Sequence, residues 1–242
     1  MRSSFALAAV LGGLIVLAGC QTTDMSDDHM MSDMSMETTE FVVTIEVLTT
    51  SPTPIAPLAW AVHAGENPFV AGEMGKLGGL EALAEDGSPS GAAASLGAID
   101  RVSSHGVVSE TDGTMESGPA APGDSYTFTV TAYDGQALSF ATMYVQSNDL
   151  FFSPDRYGLP LFDMAAPAMG NVTESVLLYD AGTEVNERPG TGPNQAPRQS
   201  GPNTGATENN PVKVIGETMD GFTYPNADAV VRVTVEPRNT MM

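Results

Sequence analysis

From Phe41 onward the chain alternates apolar and polar positions with the two-residue period of a strand. Residues 41–48 (FVVTIEVL) are β-branched and predict a first strand, and residues 58–63 form a short apolar run after Pro57. The clearest signal is residues 124–132, where Tyr126, Phe128 and Val130 share one face and Thr127, Thr129 and Thr131 the other. Residues 138–145 predict the next strand. The turn-like Tyr133-Asp134-Gly135-Gln136 between these two predicts a hairpin. Residues 172–179 and 229–235 complete the strong candidates, with weaker ones at 102–108 and 212–215. Helical spacing is confined to Leu77, Leu80, Leu83 and Ala84, ahead of the stop signal Asp86-Gly87. Residues 181–211 hold Pro189, Pro193, Pro197, Pro202 and Pro211 among Gly and Asn, and a loop of that length is functional or disordered. No repeat of fixed period is present. The expectation is all-β: one antiparallel β-sandwich with one or two short helices.

The N-terminus has a different pattern. Arg2 precedes an apolar stretch, residues 5–17, which ends in Leu17-Ala18-Gly19-Cys20. The stretch has the length of a signal-peptide core and is short for a membrane span. Its last four residues resemble the lipobox of bacterial lipoproteins, with the chain's one cysteine at the lipidated place. The resemblance implies that residues 1–19 are removed and that Cys20 carries the lipid, tethering the protein to a membrane without spanning it. Gln21, where Asp would suggest retention at the inner membrane, points to the outer membrane, with the domain in the periplasm or on the cell surface. Residues 20–40 follow as a Met-, Asp- and Ser-rich tether with no Lys or Arg. A sharper alternative treats His29 with Met25, Met30, Met31, Met34 and Met36 as a copper-binding tract, since thioethers and imidazole suit Cu(I). Residues 41–238 would form the domain and 239–242 a tail.

Charge then narrows the function. With 30 Asp and Glu against 9 Lys and Arg, the net charge is −21, the wrong sign for a nucleic-acid partner. A hydrophobic content of 42% argues against general disorder. One cysteine excludes an internal disulfide framework and any multi-cysteine zinc site. Lysine occurs only at Lys76 and Lys213, which leaves Schiff-base chemistry little to work with.

Acidic residues gather at the ends of two predicted strands. Asn148-Asp149 follows one, and Asp180-Ala181-Gly182-Thr183-Glu184 follows another. Loops at one end of a sandwich meet although distant in sequence. Asp149, Asp180 and Glu184 would then offer the hard oxygens that Ca²⁺ takes in sets of six to eight. Gly182 permits a tight turn there.

Several segments together resemble the spondin domain, a module named for F-spondin and mindin and also found in bacterial lipoproteins. They are residues 79–87 (GLEALAEDG), Pro122-Gly123, residues 138–143 (LSFATM), residues 148–152 (NDLFF), residues 179–186 (YDAGTEVN) and residues 192–199 (GPNQAPRQ). They stand in family order from Phe41 to Arg238. The resemblance implies a β-sandwich similar to calcium-dependent membrane-targeting modules, with Ca²⁺ held by Asp149, Asp180 and the acid at position 184. Glu184 stands where animal members have Asp, and Leu150 where many have Trp. It further implies a non-catalytic binding or adhesion module with a protein or glycan ligand.

Other chemistry has thinner support. Ser103-Ser104-His105 lacks the G-x-S-x-G elbow of a triad nucleophile, and His63 ends an apolar strand as a packed residue would. A metal-dependent hydrolase using a water on the same acidic loops is the enzymatic alternative. Paired carboxylates of a glycosidase lack aromatic platforms here. Gly72, Gly75, Gly78 and Gly79 form no P-loop, and Trp60 is expected in the core.

Overall fold

The computed structural model describes residues 36–71, 76–113 and 117–238. The expected signal peptide, Cys20, the tether up to residue 35 with His29 and every methionine of the tract except the exposed Met36, and the C-terminal tail lie outside these residues. Among the described residues no helix is long and apolar enough to cross a membrane.

Two antiparallel sheets pack face to face. The smaller contains β1 (Thr38–Val47), β4 (Ser125–Tyr133), β10 (Gly170–Asn171) and β13 (Val231–Pro237), in the order β10-β13-β1-β4. The larger contains β2 (Ile55–His63), β3 (Val102–Val108), β5 (Ala137–Tyr144), β6 (Leu150–Pro154), β11 (Val176–Asp180) and β12 (Lys213–Val214), in the order β12-β11-β6-β5-β2-β3. The short β7 (Leu159–Pro160) also pairs with β5, and β8 (Phe162–Asp163) and β9 (Ala166–Pro167) form a separate small hairpin. The alternation that the sequence displays is the packing rule: Phe41, Val43, Ile45 and Val47 of β1 all point into the interior against Leu58, Phe140 and Phe152 of the larger sheet.

The larger sheet is covered on its outer face as well. Helices α1 (Leu80–Asp86) and α2 (Ser90–Leu96) set Leu80, Leu83, Ala84, Ala92 and Leu96 against Ala59, Ala61, Ala141 and Phe151. Alanines on the strands let the helices approach closely. Burial on both faces leaves β5 and β6 covered along almost their whole length instead of alternating, with Ser139, Thr142 and Ser153 buried among their apolar residues. The expected helix is α1. It ends in a Schellman motif, in which Gly87 at φ 67° and Ser88 donate their N–H groups to the carbonyls of Leu83 and Ala82. The two helices meet where a Cβ on Gly79 would lie 2.3 Å from the Gly91 carbonyl carbon.

The expected hairpin between residues 124–132 and 138–145 does not form. β4 pairs with β1 in one sheet, and β5 pairs with β2, β6 and β7 in the other. The 133–136 turn carries the chain between sheets, held by a bond from the Tyr133 N–H to the Gln136 side-chain carbonyl. A turn signal specifies a reversal, whereas the partner is chosen by which face each strand must bury.

Candidate metal centre

The antiparallel pairing of β11 with β6 puts Asp180 opposite Leu150, and the Ala181 N–H donates to the Asp149 carbonyl at 3.1 Å. This register brings the two acidic loops to one end of the larger sheet. Asp149, Asp180 and Glu184 are all buried there.

Asp149 organises the turn after β11. Its Oδ2 accepts the N–H groups of Thr183 at 2.7 Å and Glu184 at 3.1 Å, and the Thr183 hydroxyl at 3.1 Å. Its Oδ1 is buried with no hydrogen-bond partner. Asp180 accepts the Gly182 N–H at 2.7 Å on Oδ1, while its Oδ2 accepts the Asn186 amide at 2.9 Å and the Thr218 hydroxyl at 3.3 Å. Gly182 is required at this turn: its φ is +62°, and a Cβ would lie 2.6 Å from the Asn210 carbonyl oxygen. Glu184 reaches across the long loop, accepting from the Asn148 amide at 3.2 Å and the Gly205 N–H at 2.8 Å.

A fourth carboxylate joins them. Glu85, at the end of α1, is buried, and neither of its oxygens has a hydrogen-bond partner. Burial, with Glu184, Glu81 and Asp149 nearby, raises its pKa to about 7. The Thr183 hydroxyl lies close enough to offset part of that rise. Its single proton is already given to Asp149, which leaves the Glu85 oxygens unpaired. Asp149 is likewise raised to about 7 by burial and by Asp180, against the pull of its two backbone donors. Tyr224 feels the same field: burial and Asp220, then Asp180 and Asp149, raise its hydroxyl.

Two lysines reach the edge of this cluster. Lys213 Nζ lies 3.7 Å from Asp180 Oδ2, its cross-strand partner, and Lys76 Nζ donates to the Gly182 carbonyl at 2.6 Å. Neither touches Glu85 or Asp149. Among the described residues, no three His, Cys, Asp or Glu side chains form a ready metal cage. Asp180 and Glu184 spend their oxygens on protein donors. The fit to a cation therefore rests on Asp149 Oδ1 and the two Glu85 oxygens, which are hard, buried and unpaired. Such a donor set suits Ca²⁺ and not a thiophilic ion.

Sequence reasoning placed Asp149, Asp180 and Glu184 by their position after strands and did not single out Glu85. Among Glu81, Glu85 and Asp86, only the tertiary packing of α1 turns Glu85 inward. His63 and Ser103 find their partners away from this cluster. His63 Nε2 and Ser139 Oγ are 2.8 Å apart and buried, and a Cβ at position 158 would lie 2.8 Å from that Oγ. The Ser103 hydroxyl donates to the Val62 carbonyl and accepts from Gln136, with no bond to the exposed His105. Beside the carboxylates, a cleft of about 630 Å³ is lined by Leu178, Ile215, Thr218, Phe222 and Tyr224, with Glu174 and Asp228 among its acids. Thr218 belongs to both features. No protein-family model matches this chain, and no curated protein matches it.

Proposed function

We propose that the protein is a non-catalytic binding module of a bacterial cell envelope, lipid-anchored through Cys20, whose sandwich is completed by a calcium site. The observation that carries this reading is the set of three buried carboxylate oxygens without partners, on Glu85 and Asp149, beside Asp180 and Glu184. Burying unpaired charge is costly, and a protein that retains it has a use for a compensating cation. Glu85 and Asp149 would hold the ion, with Asp180 and Glu184 at its margin. When bound, the ion supplies the positive charge that protons otherwise supply to these acids near neutral pH.

The chain's own residues convert that neutralisation into rigidity. Asp149 fixes the backbone of Thr183 and Glu184, and Glu184 fixes Gly205, so the same acids tie down both ends of the long loop. The adjoining cleft would present the partner face. Resemblance to spondin domains supports adhesion to a protein or glycan ligand as the use of that face.

The test is thermal unfolding of the full chain in millimolar Ca²⁺ and in chelator, with Asp149→Asn and Glu85→Gln alongside. A bound ion adds stability by mass action, about 2.7 kcal/mol at a hundredfold excess over Kd. Wild type should melt several degrees higher with Ca²⁺, and each variant should lose most of that shift. An unchanged wild-type melting temperature would sink the site. Turnover on ester, glycoside or phosphate substrates that disappears in Asp180→Asn would instead favour the hydrolase.

A further inference from the structure

β4 is an edge strand of nine residues, and among the described residues no strand pairs with it on the side away from β1, where Asp112 bonds its first residue. Three bonds fix which backbone groups face outward. The Val47 N–H donates to the Asp124 carbonyl, so the even-numbered residues of β4 turn their backbone groups toward β1. The odd-numbered residues turn away, as the Asp112 N–H on the Ser125 carbonyl and the Tyr133 N–H on Gln136 both show. Thr127, Thr129 and Thr131 therefore carry outward N–H and C=O groups, and among the described residues no backbone bond reaches them. The register with β1 runs without a bulge, and the strand itself (SYTFTVTAY) contains no charge and no proline. None of the usual devices that blunt an edge lies within it.

A groove of about 410 Å³ runs beside this edge, between it and the margin of the larger sheet. Trp60, stacked on Phe128 with ring centroids 5.8 Å apart, is among its lining residues, and Ser103, Ser104 and Gln136 line its far side. Ser104 Oγ is buried there without a hydrogen-bond partner. No charged residue lines the groove, in a protein of net charge −21. Charge waits at the two ends, where Asp124 and Asp134 bracket the strand. Asp112 adds to the first end, with its Oδ2 accepting the Ser125 and Thr127 hydroxyls.

We infer that the β4 edge is a docking site for an extended segment of a partner protein, one with an uncharged β-branched middle and Lys or Arg at both ends. The segment adds as a fifth strand to the smaller sheet through Thr127, Thr129 and Thr131. A second copy of this chain is the wrong occupant. Antiparallel pairing of two β4 strands about Thr129 sets Asp124 of each against Asp134 of the other, and like charges directly opposite are destabilising. The same two aspartates attract a strand whose cations are spaced about ten residues apart, roughly 33 Å of extended chain. This site is independent of the calcium centre.

The test uses the full chain and two labelled peptides of about twelve residues, alternating threonine and valine, one ending in lysines and the other in glutamates. The lysine peptide should bind saturably by fluorescence anisotropy and weaken with salt, and its glutamate twin should bind at least about tenfold more weakly. Thr129→Pro removes an outward N–H while leaving the β1 ladder intact, and should abolish binding with little change in melting temperature. Should that variant fail to fold, N-methylation of the peptide along one edge must abolish binding, and along the other must spare it. Absence of saturable binding, equal binding of the twins, or binding indifferent to N-methylation on either edge would each overturn the assignment. So would a dimer in sedimentation that Thr129→Pro dissociates, which would give the edge to a second copy.

Discussion

His63 and the pair Glu85 and Asp149 respond to acid in opposite directions, because burial penalises whichever form is charged. Desolvation and the nearby Arg101 lower His63 from 6.5 to about 4. The unfolded chain takes up a proton below 6.5 while the native protein does not until about 4. The stability present above 6.5 therefore falls by about 1.4 kcal/mol per pH unit across that interval. Glu85 and Asp149 start near 4.5 and 3.8 and are raised to about 7. Their contribution is complete below the unfolded values and is lost as pH rises through 7. In chelator, Glu85→Gln should therefore gain stability relative to wild type between pH 5 and pH 8, whereas His63→Gln should gain only below pH 6. Parallel melting curves for all three proteins across this range would refute the burial argument. Histidine at 63 was legible as a packed residue because it closes an apolar run. Glu85 was not, since an acid one place beyond a helical stripe is ordinarily solvated.

At the scale of elements, strands with a solvated face announced themselves and strands buried on both faces did not. β1 and β4 alternate cleanly, and the sequence placed them within a few residues of their observed bounds. β6 was overlooked: Leu-Phe-Phe-Ser-Pro is five residues, all buried, with no alternation to mark it. α2 was overlooked too, because Ser-Gly-Ala-Ala-Ala-Ser-Leu offers only small residues to a helical stripe. Yet β6 carries much of the packing. Phe151 is fully buried on the outer face of the larger sheet, stacked on Tyr179 with ring centroids 5.6 Å apart. Phe151→Ala should cost about 4 kcal/mol in denaturant unfolding, the range for a buried ring whose neighbours cannot close the void. Leu177→Ala, half-buried on the adjacent strand, should cost less than half as much. Equal losses would mean that the helices of this face collapse onto the gap.

For the whole molecule, the all-β sandwich with short helices was readable from strand period, turn residues and a high content of Gly and Pro. The assignment of strands to sheets was not, because pairing across more than a hundred residues leaves no local trace. The 181–211 segment illustrates the same limit. Its prolines and glycines marked it as irregular, and nothing in them foretold that it is tied to the body at many points. Gln195 is buried and donates to the Arg188 carbonyl at 2.8 Å. The Arg198 guanidinium holds the Gly192 carbonyl and the side chains of Gln195 and Gln146. The Gln199 amide donates to Asp86 Oδ1 at 2.8 Å, at the end of the helix that carries Glu85. The peptide bond after Arg198 is thus a latent trypsin site, since Pro189 protects the bond after Arg188. Cleavage requires the segment to lift from the body, so its rate reports local opening and not global unfolding. Limited trypsin digestion should cut after Arg198 slowly in Ca²⁺ and severalfold faster in chelator, and a rate indifferent to Ca²⁺ would uncouple the segment from the acids. A protease would then serve as the clock of local opening in this segment, timing at a single bond how often the loop leaves the body.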